Sequence, residues 1–260
     1  MVRNKRTGTT PIVLHATGRN GRLNSWALLK QEVLAVLEAD PPVSVDPGAS
    51  WALFTWSTLD WETCLEACCR VIGCDLTVMR VPDPGLWQNV MKIDLTVSFL
   101  RRCQADYVVG LDALDVLMLG HPSEIVRRYR EQFEPLGCQL MFNASAMPWP
   151  KRHGTICDEC LDFEMTFEAT PNRHLNAGAW VGRRDYALAF WEGVMALRSS
   201  PDWPHEYRHS EQIVVRTHAF PAHYPDVDID RHCVIFQHME AGKTDLLTLD
   251  ARLTSGMVRQ

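Results

Sequence analysis

Residues 107–119 read YVVGLDALDVLML, and they are the most informative stretch of the sequence for its architecture. Residues 107–111 are almost wholly apolar, which predicts a central strand covered on both faces. Asp112 and Asp115 follow that strand directly. Because ligands of open α/β sheets bind at the carboxyl ends of the strands, the two carboxylates are predicted to lie at a binding edge.

Outside this stretch, short apolar runs alternate with amphipathic helices. The alternation predicts an α/β fold in which helices flank a parallel or mixed central sheet. Residues 147–173 are rich in Pro, Cys and charge, and we expect them to form a long irregular excursion over the active face. The predicted strands are residues 11–15, 51–57, 75–81, 107–111 and 139–142, and the predicted helices are residues 24–37, 61–72, 89–103 and 186–197.

The composition excludes some classes of protein. A chain of 260 residues with 46% hydrophobic residues can bury a sizeable core as one large domain or two small ones. Lys and Arg number 26 against 32 Asp and Glu, so the net charge of −6 gives no general attraction to nucleic acid or anionic membranes. No apolar run approaches the ~20 residues of a membrane span, and residues 1–6 lack the apolar core of a signal peptide. We therefore expect a cytoplasmic protein without a membrane partner.

The nine cysteines are irregularly spaced, which favours reduced thiols over a disulfide framework. Cys157 and Cys160 form the only C-x-x-C pair, whereas a zinc ribbon needs a second pair. Cys64, Cys68 and Cys69 lie on one predicted helix, where they either supply further ligands or serve as small core residues. Whether Cys157 and Cys160 bind zinc stays open at this point.

The spacing of Asp112 and Asp115 allows both carboxylates to face one ion. Hard oxygen ligands suit Mg²⁺ or Mn²⁺, and such an ion would bridge the diphosphate of a sugar nucleotide. The alternative is that Asp112 caps a turn while Asp115 faces solvent. A bare D-x-x-D motif does not choose between these interpretations.

A series of motifs, taken in order, resembles a known family. The sequence from residue 51 to residue 239 is similar to the glycosyltransferase domain of the procollagen lysyl hydroxylases and related collagen galactosyltransferases. The resemblance implies a GT-A-like nucleotide-diphosphosugar transferase fold, a metal ion, and a UDP-sugar donor. The motifs are WALFTWST (51–58), a helix with Lys92, YVVGLDALDVLML (107–119), FNASAMPWP (142–150), HLNAGAWVG (174–182), SEQIVVRT (210–217) and DRHCVIFQHM (230–239).

The resemblance also implies roles for individual residues. Asp112 and Asp115 match the family's metal-binding aspartates, Thr55 matches a nucleotide contact, and Lys92 matches a lysine near the donor phosphates. Trp149 matches a tryptophan beside the sugar and acceptor. Asn176 and Gly178 match the strand that forms the floor of the family's binding pocket. Glu211 is the candidate carboxylate facing the acceptor hydroxyl.

Two further features concern the nucleotide and the acceptor. Trp87 is on a predicted loop, where its ring either stacks on the base or sugar or packs in the core. Residues 208–210 (RHS) replace the further acidic residues of the family, which leaves the acceptor open.

The family's final segment, of the form P-V-x-x-H-x-x-G, carries a histidine that completes the metal shell. Residues 11–18 (PIVLHATG) have this form near the start of the chain. We therefore expect a circular permutation within one structural domain, with residues 1–39 as the moved segment, 40–50 as the linker and 51–260 as the glycosyltransferase domain. His15 becomes the third metal ligand, and the backbone near Gly18 approaches the diphosphate.

These residues predict an Mn²⁺-dependent or Mg²⁺-dependent enzyme that moves a hexose from UDP-glucose or UDP-galactose to a hydroxyl on a macromolecule. The family suggests protein hydroxylysine as the acceptor. One alternative is a hydroxymethylated base in DNA, such as hydroxymethylcytosine, with a rim of basic residues on the acceptor face. Another is a module that binds nucleotide sugars without catalysis. The basic rim would comprise Arg19, Arg22, Lys151, Arg152, Arg183 and Arg184.

Overall fold

The computed structural model describes residues 2–4, 7–16, 24–81, 83–149, 155–167, 170–200, 209–239 and 249–251. The strands within these ranges are β1 Val2–Asn4, β2 Val13–Ala16, β3 Trp51–Ser57, β4 Thr77–Arg80, β5 Tyr107–Asp112, β6 Val116–Met118, β7 Leu140–Ser145, β8 His174–Arg183, β9 Val227–Ile229, β10 Phe236–Met239 and β11 Leu249–Ala251. The helices are α1 Asn24–Ala39, α2 Cys64–Ile72, α3 Met91–Arg102, α4 Pro122–Gln132, α5 Thr155–Met165, α6 Arg184–Arg198, α7 Glu211–Val214 and α8 Phe220–His223, and a π-helical turn, Val215–Ala219, joins α7 to α8.

The main sheet of the described residues has six strands in the order β4-β3-β5-β8-β7-β9. Strands β4, β3 and β5 are parallel, whereas β8 is antiparallel to both β5 and β7. The helices α2 and α3 supply the crossovers that parallel neighbours require. The predicted mixed α/β sheet flanked by helices is therefore confirmed.

Side chains of β5 alternate between two hydrophobic cores on opposite faces of this sheet. Val109 and Leu111 face the core that contains α1, α2 and α4, while Val108 faces the core that contains α3 and α6. All three side chains are fully buried. Burial on both faces explains why this strand is almost continuously apolar in sequence.

A second sheet has the strand order β10-β2-β6 among the described residues. β2 lies parallel to β10 and antiparallel to β6, so that His15 is opposite His238 on one side and Val116 on the other. The amide of Ala16 donates to the carbonyl of Asp115 at 2.8 Å. β2 thus lies directly beside the turn that follows β5.

The N-terminal elements share a core with the rest of the chain. Val13 and Leu14 of β2 and Leu29 and Val33 of α1 belong to the same buried cluster as Leu111. Residues 40–50 run along α4, where the amide of Val45 donates to the Ser123 hydroxyl at 3.0 Å. The division of the chain at residues 39 and 50 stays a prediction.

Several elements differ from the sequence prediction, among them α5 and α4. Residues 147–173 were expected to be irregular, which is wrong because they include α5. The pattern also does not predict α4, whose buried apolar side chains are limited to Ile125, Val126, Tyr129 and the N-terminal Pro122. Among the described helices, none combines the length and the apolar character needed to cross a bilayer.

The cysteines of α2 are core residues. Cys64, Cys68 and Cys69 are buried in the cluster that contains β5, and burial raises the pKa of Cys68 to about 11. Cys160 is also buried, with Sγ 3.2 Å from the carbonyl of Arg216. The side chain of Cys157 lies outside the described residues, so the zinc question at this pair is open.

A buried ion pair joins α5 to the π-helical turn, and a hydrogen bond between His174 and the carboxylate of that pair joins α5 to β8. Glu164 and Arg216 are both fully buried, with Nε and Nη2 of Arg216 within 2.7 Å of the two carboxylate oxygens. His174, at the start of β8, lies 2.6 Å from the same carboxylate. Burial alone would raise the pKa of Glu164, but the hydrogen bonds from Arg216 and His174 outweigh it and lower the pKa.

Replacing Glu164 with Gln is expected to lower the free energy of unfolding by about 3–5 kcal/mol at pH 7, because Arg216 loses its buried counter-ion. The lowered pKa means that the carboxylate stabilises the fold above its unfolded-state pKa, and that this contribution disappears as the pH falls through the folded-state pKa. Urea unfolding at several pH values measures both effects.

Glu192→Gln is the matched control, because Glu192 forms an exposed ion pair with Arg101. Its loss should stay below about 1 kcal/mol at any of these pH values. Equal losses for the two variants would contradict the assigned role of Glu164.

Candidate functional site

Three side chains that can bind a metal converge at the end of β5. Nε2 of His15 lies 3.6 Å from Oδ2 of Asp112 and 3.6 Å from Oδ1 of Asp115. One ligand atom from each residue lies within 4.8 Å of the others. Within the described part of the chain, this is the one group of His, Cys, Asp and Glu residues whose spacing suits an ion. The geometry brings together the three predicted metal ligands.

Each ligand has its own structural support. Asp112 ends β5, and the carbonyl of the next residue, Ala113, accepts a hydrogen bond from the amide of Leu65 at the start of α2. Asp115 immediately precedes β6, whose pairing with β2 brings His15 next to the turn. The site therefore depends on strand pairing between segments far apart in sequence.

The charges of the three groups fit a cation. Burial alone would lower the pKa of His15, but Asp112 and Asp115 raise it to about 9. Burial would likewise raise the pKa of Asp112, but Lys92 and His15 lower it to about 2. Two carboxylates beside one imidazole are a ligand set that suits a divalent cation, which binds the neutral form of the imidazole.

Gly178 leaves the space in which two of these side chains lie. A Cβ at this position would be 2.3 Å from Cε1 of His15 and 2.6 Å from Oδ2 of Asp112. Gly178 lies in an irregular part of β8, because Phe142 of β7 pairs with Trp180 whereas the next residue, Asn143, pairs with Asn176. Residues 177–179 of β8 therefore bulge beneath the histidine.

The variant Gly178→Ala is expected to weaken Mn²⁺ binding about 10- to 100-fold, because the new methyl group displaces the imidazole and a ligating carboxylate. Isothermal titration with Mn²⁺ measures the change.

Gly193→Ala is the matched control, since Gly193 is an exposed position of α6 with open space around its Cα. This change should leave Mn²⁺ affinity unchanged and raise the free energy of unfolding by about 0.5–1 kcal/mol. Unchanged Mn²⁺ affinity in Gly178→Ala would show that the site does not need this space.

Lys92 links the metal candidate to a third carboxylate. Its Nζ lies 2.6 Å from Oδ1 of Asp112 and 3.0 Å from Oε1 of Glu211, and 5.4 Å from the centre of the Trp56 ring. Burial would lower the pKa of Lys92, but the two carboxylates raise it, so the amine stays charged. The structure thus places two more of the predicted residues, Lys92 and Glu211, beside Asp112.

Glu211, the first residue of α7, is 4% exposed. Burial raises the pKa of its carboxyl, although the ammonium of Lys92 partly opposes that effect. Its second oxygen, Oε2, is buried and makes no hydrogen bond to the described residues. Because buried oxygens normally have a partner, this atom can accept a hydrogen bond from a bound hydroxyl group.

Gln212 connects the bulge of β8 to the loop that carries Trp149. Its Oε1 accepts from the amide of Ala177 at 3.3 Å, and its Nε2 donates to the carbonyl of Trp149 at 3.1 Å. The Trp149 side chain is 52% exposed, so its ring can contact a ligand. Asn176 faces inward instead, accepting from the amide of Gly178 at 3.0 Å.

Two nucleotide-contact predictions concern Thr55 and Trp87. The Thr55 hydroxyl is fully buried and donates to the carbonyl of Leu111 at 2.6 Å, and the nucleotide contact of Thr55 stays a prediction. The hydroxyl links β3 to β5. Trp87 is partly exposed, and its Nε1 donates to Asn89 at 3.1 Å. The predicted diphosphate contact at Gly18 lies outside the described residues.

The basic rim expected for a DNA acceptor is not formed by Arg183 and Arg184. Arg183 pairs with Tyr107 at the start of β5, about 17 Å along the strand from Asp112. The side chain of Arg184 donates to the carbonyl of Leu100. Both residues lie at the opposite end of the central strands from Asp112, so this part of the prediction is wrong. The other four basic residues, Arg19, Arg22, Lys151 and Arg152, lie outside the described residues.

Sequence reasoning did not identify Asn143 or Gln212. Asn143 is fully buried in β7, and its Nδ2 is 3.2 Å from Nδ1 of His15. A polar residue within the apolar strand LMFNAS was the available signal, because an isolated buried amide needs a partner. Gln212 had a weaker signal, its position next to Glu211.

Comparisons with known proteins add little. No family model matches the chain, and no curated protein matches it. One similar solved structure is described as the crystal structure of a glycosyltransferase involved in the glycosylation of the major capsid of PBCV-1. It shares 12% sequence identity, with 76% of this chain and 96% of that chain covered at a TM-score of 0.43. A likeness at this level does not carry a function, which has to rest on the residues themselves.

Proposed function

We propose that the protein is a metal-dependent glycosyltransferase that moves a hexose from a UDP-sugar to a hydroxyl group on a macromolecule. The observation that carries the proposal is the convergence of His15, Asp112 and Asp115 beside the buried pair Lys92 and Glu211. A network of ion pairs with a purely structural role would not need a histidine between two carboxylates. It would also not need a glycine that leaves space for the histidine ring.

The donor set suits Mn²⁺ or Mg²⁺ held by Asp112, Asp115 and His15. When bound, such an ion neutralises the charge that develops on the departing diphosphate. Lys92 adds a fixed positive charge beside Asp112, and it is suited to hold a phosphate oxygen of the donor. These groups account for binding a nucleotide diphosphate with UDP-glucose or UDP-galactose as the proposed donor.

Glu211 and Trp149 are assigned to the sugar and the acceptor. Oε2 of Glu211 is the buried acceptor atom for a hydroxyl hydrogen bond, and the exposed ring of Trp149 offers an apolar face to a sugar. The two residues are mechanically linked through Gln212 and the bulge at Gly178. Most of the rate would come from positioning these groups and from charge stabilisation.

The family assignment is a further part of the proposal. The mixed sheet, and the small sheet whose strand β6 follows Asp115, are consistent with a GT-A-like fold of the collagen glycosyltransferase type. The parallel neighbour of β2 is β10, the strand that closes the motif series. This arrangement supports the proposed circular permutation, with residues 1–39 as the transferred segment.

For the acceptor, hydroxylysine in a protein is favoured over a hydroxymethylated DNA base. Arg183 and Arg184 are far from the candidate site, which removes part of the basic rim that a DNA acceptor requires. Incubating the protein with donor and either a hydroxylysine peptide or hydroxymethylcytosine DNA, followed by mass spectrometry, separates the two. Sugar transfer to the DNA alone would contradict this preference.

With a panel of UDP-sugars, the wild-type protein is expected to release UDP only when Mn²⁺ or Mg²⁺ is present. His15→Ala and Asp115→Asn should each reduce this rate at least about 100-fold, since each removes a metal ligand. The exposed residue Asp75 provides a control, Asp75→Asn, with unchanged activity. Tight UDP binding without turnover of any donor would instead indicate a binding module.

The change Glu211→Gln is expected to lower kcat about 100-fold while the KM for the donor changes little, because the carboxylate is assigned to the acceptor hydroxyl. Steady-state kinetics with donor and acceptor varied separately measure this. A large rise in donor KM with unchanged kcat would place Glu211 with the donor instead.

A further inference from the structure

Asn143 lies behind the imidazole of His15, away from the carboxylates. Its Nδ2 is 3.2 Å from Nδ1 of His15, whereas Nε2 of the same ring faces Asp112 and Asp115. Asn143 therefore contacts a candidate metal ligand on the side opposite the ion. It is in the right place to orient the ring, and in the wrong place to bind the metal itself.

The surroundings of Asn143 make a polar side chain costly unless it has a partner. Its neighbours on β7, Phe142 and Ala144, are fully buried hydrophobic residues, and Asn143 itself has no exposed surface. The register shift in β7–β8 pairing occurs between Phe142 and Asn143, next to the bulge that makes room for the histidine. Within the described ranges, the hydrogen bond recorded for the Asn143 side chain is the one to His15.

The chemistry of the ring decides which end of the amide must face it. Nε2 faces the two carboxylates that are the other candidate metal ligands. When a metal ion occupies Nε2, the neutral ring keeps its proton on Nδ1. In the metal-bound state Nδ1 is therefore a hydrogen-bond donor, and it needs an acceptor.

The amide nitrogen cannot accept that hydrogen bond, but the amide oxygen can. The oxygen and nitrogen of an Asn side chain are nearly equal in shape, and the hydrogen-bond network assigns them. Oδ1 of Asn143 is buried and has no hydrogen-bond partner within the described part of the chain. A half turn of the amide brings Oδ1 to Nδ1 of His15 and replaces a clash between two donors with a hydrogen bond.

On this basis we propose that Asn143 is a positioning residue whose Oδ1 accepts from Nδ1–H of His15 and so directs Nε2 at the metal ion. The inference rests on the metal site of the proposed function. A partner of this kind holds a ligating histidine in one tautomer and one orientation, and its loss commonly weakens metal binding 10- to 100-fold.

The first test is the affinity for Mn²⁺, measured by titration with electron paramagnetic resonance detection of the free ion. Asn143→Leu, similar in size but without an acceptor, is expected to weaken binding about 10- to 100-fold. Asn143→Asp keeps an acceptor oxygen and should bind Mn²⁺ at least as tightly as the wild type. The control is Asn172→Leu, which removes a buried amide that contacts Cys233 outside the site and should leave the affinity unchanged.

A double-mutant cycle separates orientation of the histidine from a general effect on folding. In a His15→Ala background, Asn143→Leu should cause no further loss of Mn²⁺ affinity, because the ring that it positions is absent. An equal loss in both backgrounds would overturn the inference. If wild-type protein binds no Mn²⁺, the proposed metal site fails as well, whereas binding that depends on His15 but not on Asn143 overturns this inference alone.

The tautomer gives a second readout, measured on the wild-type protein. In wild-type protein with Mg²⁺ bound, ¹⁵N-edited spectra of the histidines should show His15 with its proton on Nδ1, assigned by its absence in His15→Ala. A proton on Nε2 in the metal-bound protein would overturn the proposal.

Discussion

The antiparallel pairing of β2 with β6 is the interaction on which the candidate site depends. Without this pairing, Asp112 and Asp115 would be two carboxylates on a turn with no histidine beside them. The backbone hydrogen bond from Ala16 to Asp115 holds β2 against that turn and delivers His15 to the carboxylates. The contacts of His15 with Asp112, Gly178 and Asn143 all depend on this pairing.

The second constraint is the space for the side chains of His15 and Asp112, which the bulge in β8 provides. The bulge at residues 177–179 would leave backbone amides without partners, and side chains supply them: Gln212 accepts from Ala177, and Asn176 accepts from Gly178. Gly178 then lets His15 and Asp112 approach the strand more closely than any other residue would. Gln212 also donates to the carbonyl of Trp149, so the loop that carries Trp149 and the bulge of β8 form one connected unit.

Much of the architecture could be predicted because its signals are local. Hydrophobic period indicated the strands β3, β4, β5 and β7 of the main sheet and the helices α1, α2, α3 and α6, but not β8 and β9. The apolar run before Asp112 indicated a strand buried on both faces. The helix α5 escaped prediction because its placement depends on a buried ion pair, Glu164 with Arg216, whose partners are distant in sequence. The hydrogen bond from the Thr55 hydroxyl to Leu111 could not be predicted for a similar reason, since it depends on the pairing of β3 with β5.

The sequence by itself determined the α/β class, the carboxylates at a strand end, and a histidine in a motif that suggested a third ligand, because residue chemistry and periodicity can be read along the chain. Only the tertiary structure decided that His15 reaches Asp112 and Asp115 and that Gly178 leaves space for their side chains. It also decided that Arg183 lies at the other end of the strand from Asp112. Those outcomes depend on strand register and on side chains from segments far apart, and packing alone brings such segments together.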